Sequence, residues 1–178
     1  MPEKWQVLSS EEVFSSPWIK LRREAVRLPS GLELDDYYLV EQPDFVKVFA
    51  WTEEGHVVFI REYKHGAGEV VLQLPGGFAE PGEDPREAAE RELREETGYA
   101  AELRKVAELV VDPTRSRTIE HVFVGPAKQA GPQRLDHSED VEVVLVPAAD
   151  LRPLITSGDL RVASTVASVF LCLPHLGI

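Results

Sequence analysis

Short stretches in which apolar residues alternate with polar ones, or run together for five to seven positions, occupy most of the first half of the chain. Trp18–Leu28 and Glu33–Glu41, separated by Pro29-Ser30-Gly31, read as one hairpin. Phe45–Trp51 and Val57–Glu62, joined through Thr52-Glu53-Glu54-Gly55, read as a second with a glycine at its close. A further strand precedes Leu74. The period then changes. Asp84 offers a side-chain oxygen to the orphan amides of a helix, Pro85 fits its first position, Glu87 stands where a capping-box partner belongs, and Gly98 can adopt the left-handed conformation that ends it. The spacing predicts a helix from Pro85 to Thr97. Beyond it, Ala101–Val111, Ile119–Val124 and Val141–Pro147 are rich in strand formers, while Ala148–Ser157 and Arg161–Cys172 have helical spacing. The sum is an α/β (α+β) chain: a mixed sheet packed by helices.

Composition narrows the function classes. A length of 178 residues fits one domain of ordinary size, and 43% hydrophobic content is enough for a core. The formal charge of −12 argues against nucleic acid or an anionic membrane as partner, since both require a basic footprint. Cys172, the one cysteine, cannot form an internal disulfide and reads as a buried small hydrophobe. The N-terminus lacks the apolar core of a signal peptide and Val162–Leu173 is too short and too polar to span a bilayer, so a cytoplasmic location is expected. There is no Gly-x-Ser-x-Gly elbow, P-loop or paired Cys-x-x-Cys, and the five histidines show no ligand spacing.

The predicted helix carries the informative chemistry. Seven glutamates and one aspartate lie between Gly77 and Tyr99. Glu87 precedes Arg91 by four residues and Glu90 precedes Arg94 by four, the orientation of ordinary exposed ion pairs worth about 0.2–0.5 kcal/mol each. Glu92 and Glu96 are also four apart but share a sign, and Glu95 falls on the same face. A solvated acidic face is the plain reading of such a run. The alternative is a bound cation: carboxylate oxygens that leave positions for water and phosphate suit Mg2+, with Mn2+ as its close substitute. Leu74-Pro75-Gly76-Gly77, directly upstream, places two positions without side chains where backbone can approach a metal or a phosphate.

Gly77, Glu83 and then Arg91-Glu92-Leu93-Arg94-Glu95-Glu96-Thr97-Gly98 match the charged positions and both glycines of the Nudix box, which this segment resembles; Tyr99 departs from the usual aliphatic residue. The resemblance implies an α/β/α Nudix sandwich with a small N-terminal antiparallel sheet, divided into residues 1–42 and a hydrolase domain over 43–178. It implies metal-dependent hydrolysis of a nucleoside diphosphate linked to another group. By similarity, Glu92 and Glu96 are principal metal ligands, Glu95 a third ligand or its neighbour, and the Gly76 carbonyl a backbone ligand. Arg91 orients Glu95 or its neighbours, Glu83 supports the loop, and Gly77 and Gly98 shape the motif.

Water attacking phosphorus must give up a proton, and the box carboxylates are engaged with cations, so a base is sought elsewhere. Leu135-Asp136-His137-Ser138-Glu139-Asp140-Val141 is polar, acidic and enters an apolar strand. In the ADP-ribose pyrophosphatase branch of the family a glutamate on the corresponding loop is the base, and Glu139 matches it best, with Asp140 and Glu142 as rivals. Two more segments resemble that branch: Pro113, fifteen residues beyond Gly98, and Arg61-Glu62-Tyr63-Lys64, similar to its Arg-Gln-Tyr-Arg. Arg61, Arg115 and Arg117 are candidate phosphate contacts, because a guanidinium fork suits phosphate oxygens. Trp5, Trp18, Tyr37 and Tyr38 could stack on a base or simply pack. A homodimer is implied by the branch alone. Within the enzyme class the alternatives are GDP-mannose and other nucleotide sugars; from another class, a non-catalytic nucleotide sensor on the same fold.

Overall fold

The β-rich first third of the chain forms a small sheet of its own in the computed structural model, which describes residues 1–177. Strands β1 (Gln6–Ser15), β2 (Lys20–Arg27) and β3 (Glu33–Glu41) pair antiparallel in the order β1-β2-β3. The β2–β3 turn is the one expected at Pro29-Ser30-Gly31, closed by a Gly31 N–H to Leu28 O bond with Gly31 at φ 88°. No sequence pattern marks strand β1, for a physical reason: all ten of its residues are exposed, so it has no buried face to impose a period-two pattern. The compact unit built on this sheet comprises Met1–Pro43 together with Val110–Ile119. Within it the Val40 N–H donates to Arg115 O at 2.7 Å and the Tyr37 hydroxyl donates to Thr114 O.

The second unit comprises Asp44–Leu109 and the chain from Glu120 onward. Its seven strands are β4 (Phe45–Trp51), β5 (His56–Lys64), β6 (Glu69–Gln73), β7 (Tyr99–Ala101), β8 (Arg104–Val110), β9 (Ile119–Gln129) and β10 (Val141–Pro147). They are ordered β10-β5-β4-β9-β7, with β6 also on β5 and β8 also on β9. Strand β4 runs parallel to β9, Phe45 opposite Glu120 through Trp51 opposite Pro126, and the other registered pairs are antiparallel, so the sheet is mixed as expected. The segment Ala101–Val111, expected as one strand, is two: Leu103 turns into the core between β7 and β8 and is 2% exposed.

Helices α1 (Pro85–Thr97), α2 (Leu151–Ser157) and α3 (Ala163–Cys172) cover the sheet. Alternation along β4 divides the core in two. Val46, Val48 and Ala50 pack with Ala88, Ala89 and Leu93 of α1, while Phe49 packs with Leu151 of α2 and Val169 and Cys172 of α3. The Cys172 thiol is buried, which pushes its pKa up to about 12. Among the described residues no helix is long and apolar enough to cross a membrane.

Candidate active site

The site grows from the turn between β6 and α1. The Val46 N–H donates to Gly77 O at 2.9 Å and the Val48 N–H to Pro75 O at 3.0 Å, so Leu74-Pro75-Gly76-Gly77 is laced to β4 by its own backbone. That approach leaves no room for side chains. A Cβ on Gly76, which sits at φ 146°, would lie 2.0 Å from Val46 O. A Cβ on Gly77 would lie 2.5 Å from Glu92 Oε1, so the carboxylate of Glu92 fills the space a side chain would take.

Helix α1 presents the glutamates to this turn. It begins as its sequence predicts, with Asp84 Oδ1 accepting from the Arg86 N–H at 2.8 Å, and ends with Gly98 at φ 73° donating its N–H to Arg94 O. Glu96 is buried and its Oε2 accepts the Gly76 N–H at 2.8 Å; burial pushes its pKa up to about 8, against the pull of that N–H and of Lys47. Burial likewise raises the pKa of Glu92, opposed by Arg91.

Arg91 does not make the ordinary pair with Glu87. Its Nε and Nη2 reach Glu83 at 2.9 and 3.0 Å, and its Nη1 reaches Glu92 at 2.8 Å and Glu95 at 3.2 Å. Glu90, expected to pair with Arg94, pairs with Arg86 at 3.0 Å instead. The reason is the number of acceptors: one guanidinium fork serving three carboxylates outbids a single exposed partner. These bonds, with Glu83 foremost, raise the Arg91 pKa, and the same contact holds Glu83 below the ordinary carboxylate range. Glu83 also accepts the Glu80 N–H at 2.8 Å, which braces the loop ahead of the helix.

Glu83, Glu92 and Glu95 therefore share one guanidinium, while Glu96 is held by the Gly76 N–H; Glu96 is buried and Glu92 largely so. The donors are all oxygen, two of the side chains are desolvated, and Glu92 lies in a cradle only a glycine leaves open. That chemistry fits a hard divalent cation. Among the described residues no three His, Cys, Asp or Glu side chains converge as a ready ligand set. Glu92 and Glu95 are turned to Arg91 Nη1 and Glu96 to the Gly76 N–H, so a cation would compete with those donors.

The loop between β9 and β10 is strapped to the end of α1 by residues that sequence reasoning did not single out. Gln133 Nε2 donates to Glu96 O at 2.6 Å and to Val141 O at 3.0 Å, and the Arg134 N–H donates to Glu95 O at 2.8 Å. Nothing in their own segment marks them, because the bonds go to backbone carbonyls. Glu139 lies on this loop, its Oε2 accepting the Asp136 N–H at 2.9 Å, and its charge contributes to the raised pKa of Glu92. Glu142 is paired with Arg61 at 2.7 Å. Arg61 also borders a concavity of about 490 Å³ with Leu72, Val144 and Leu154, which includes none of the box glutamates. Arg115 and Arg117 belong to the first unit, where Arg117 reaches the buried Glu24 at 3.5 Å. Trp5 and Tyr37 pack edge to face, ring centroids 5.7 Å apart, and Trp18 is exposed.

The NUDIX domain family matches residues 42–166, well over half of the chain. The chain belongs to the Nudix family. As a Nudix pyrophosphohydrolase it joins a group that generally depends on divalent metal, in keeping with the oxygen-lined, desolvated glutamates described above. Residues 5–40 match a second family, the nucleoside diphosphate sugar hydrolase N-terminal domain. Among relatives, the ADP-ribose pyrophosphatase of Bacillus subtilis is 32% identical over 92% of this chain and 90% of its own length. The methanol dehydrogenase activator of Bacillus methanolicus is 32% identical over 78% of this chain and 76% of its own. A crystal structure of an ADP compounds hydrolase superposes with a TM-score of 0.87 at 25% identity, covering 99% of this Nudix chain and 96% of the other.

Proposed function

We propose that this Nudix enzyme hydrolyses ADP-ribose to AMP and ribose 5-phosphate with Mg2+, for which Mn2+ can substitute. The observation that carries the reading is the pair Glu92 and Glu96, desolvated on one helix face against the Gly76-Gly77 turn, in a chain whose relatives include ADP-ribose pyrophosphatases. Glu92 and Glu96 would hold the cation, with Glu95 and the Gly76 carbonyl as further ligands. When bound, divalent cations neutralise diphosphate charge and lower the pKa of coordinated water.

The chain's own residues do the rest. Arg91 holds Glu83, Glu92 and Glu95 in register through its fork, and Glu83 fixes the turn that leads into the helix. Glu139 accepts the proton of the attacking water as the new oxygen–phosphorus bond forms and the bridging bond breaks, the bridging oxygen leaving with the second phosphate. Arg61 binds a phosphate by exchanging Glu142 for it, and Arg115 and Arg117 offer two more guanidiniums. Glu139→Gln should lower kcat about 100-fold while Mn2+ binding, read by electron paramagnetic resonance, is retained. Full activity in that variant would move the base to Asp140 or Glu142.

GDP-mannose and other nucleotide sugars are the second reading, favoured by the match of residues 5–40 to a nucleoside diphosphate sugar hydrolase N-terminal domain. A sensor reading requires lost box glutamates, and Glu92, Glu95 and Glu96 are present. The enzyme acts as a cytoplasmic homodimer in this proposal. Strand β1, with Val7, Val13 and Phe14 exposed, supplies apolar surface for the second copy, and nucleic acid and membrane are not partners. The substrate test is phosphatase-coupled phosphate release with Mg2+ across ADP-ribose, GDP-mannose, UDP-glucose, NADH and diadenosine polyphosphates. ADP-ribose should give the highest kcat/KM; a higher value for a nucleotide sugar would replace the first reading by the second.

A further inference from the structure

Strand β4 contains a residue that its surroundings do not invite. Lys47 stands between Val46 and Val48, both fully buried, and is itself 6% exposed; among the described residues it is the only buried lysine or arginine. Burial of an ammonium is costly unless it is paired, and burial lowers the pKa of this one. Its Nζ donates to Leu74 O at 3.2 Å and to Gln73 Oε1 at 3.3 Å. Gln73 in turn donates through Nε2 to Glu62, which is bridged to Lys64 at 2.8 Å, so the glutamine amide is held in one orientation.

Leu74 is one end of a three-residue turn whose other end, Gly76, donates its N–H to Glu96 Oε2. The buried ammonium and the buried carboxylate thus grip the same turn from its two ends. Arg91 bonds to Glu83, Glu92 and Glu95, and Glu96 receives no guanidinium or ammonium hydrogen bond among the described residues. No salt bridge joins Lys47 to Glu96 among the described residues; the two meet through the turn that both hold, and across it each charge favours the ionised form of the other.

We propose that Lys47 is the internal counter-charge of Glu96, a positioning residue that steadies this carboxylate before a cation arrives and weakens the site's hold on a free divalent cation. A cation approaching Glu96 meets a positive charge behind it. The anionic diphosphate offsets that repulsion, so cation and substrate are bound better together than the cation alone. The inference rests on the reading of Glu96 as a metal ligand.

The test has two parts. Melting is measured in chelator for the wild type, Lys47→Met, Glu96→Gln and the double variant. Lys47→Met should lower the melting temperature by about 5–10 °C where Glu96 is present, and by less than half as much beside Glu96→Gln. Equal losses in the two backgrounds would overturn the pairing and mark Lys47 as merely structural or as the partner of Glu120. Mn2+ binding is then read by electron paramagnetic resonance at low salt. Lys47→Met should bind on the order of tenfold more tightly than the wild type, and Lys47→Arg like the wild type. Lys47→Gln, which keeps a donor for the Leu74 carbonyl, must shift in the same direction as Lys47→Met; unchanged or weaker Mn2+ binding in both neutral variants would overturn the proposal. Unequal melting losses with no Mn2+ bound by the wild type would refute the ligand role of Glu96 and leave the Lys47–Glu96 pairing supported.

Discussion

Glu96→Gln should lower turnover of ADP-ribose by about 10³-fold, several kcal/mol of transition-state charge stabilisation at 1.36 kcal/mol per tenfold, with the far-ultraviolet spectrum of the fold unchanged. The substitution is nearly isosteric. Its Oε1 can still accept the Gly76 N–H that Glu96 Oε2 accepts now, so the turn keeps its anchor while the anionic ligand is lost. What disappears is negative charge at the most deeply buried of the box carboxylates, where there is little water to take its place as a ligand. Divalent cation should also cease to raise the melting temperature, because a ligand that binds only the folded state stabilises it in proportion to its affinity. Steady-state kinetics over a range of Mg2+ concentrations and a thermal melt check both parts; turnover within a few fold of wild type would remove Glu96 from the ligand set.

Gly76→Ala should be the most damaging single methyl in the protein. At φ 146° an L side chain is strained, and its Cβ would meet a backbone oxygen, Val46 O, at 2.0 Å rather than a side chain able to move aside. Relief requires the turn to lift from β4, breaking the Val46–Gly77 and Val48–Pro75 bonds and withdrawing the N–H from Glu96. Strain and overpacking together should cost about 3–5 kcal/mol, a fall of about 10 °C in melting temperature for a chain of this size. Activity should fall with it even at temperatures where the variant remains folded. Gly82→Ala, also at positive φ (83°) but with open space around its Cβ, is the control and should cost much less. Equal losses in the two would mean that backbone strain alone, and not the lacing of the turn to β4, decides the effect.

The segments legible in advance share one property: their local chemistry and their tertiary role agree. Helix α1 is predicted and found at Pro85–Thr97, because cap, first-turn proline and closing glycine all act within the helix itself. Strand β10 is predicted and found at Val141–Pro147 for a similar reason, a short apolar run with breaks on both sides. Strand β1 was illegible because its residues bury nothing, and the break at Leu103 because it depends on where the chain turns into the core. The recruitment of Val110–Ile119 to the N-terminal unit depends on backbone bonds such as Val40 to Arg115, which no side-chain pattern encodes.

The site divides in the same way. Which glutamates are candidates follows from spacing, but which partner Arg91 takes does not. The pair with Glu87 satisfies the local rule, and the three-carboxylate fork wins only because the loop carrying Glu83 folds back over the helix. Lys47 carries no signal in the sequence, since a lysine within a strand pattern ordinarily faces solvent, whereas here it is buried and donates to the Leu74 carbonyl of the turn that carries Gly76.

The central claim, that this acidic helix face supports cation-dependent hydrolysis of ADP-ribose, is tested most directly by chromatography of the products formed from ADP-ribose with Mg2+, before and after addition of EDTA. Equimolar AMP and ribose 5-phosphate, appearing with Mg2+, arrested by EDTA and restored by excess Mg2+, is the expected result; intact ADP-ribose throughout, or hydrolysis indifferent to the chelator, would contradict it.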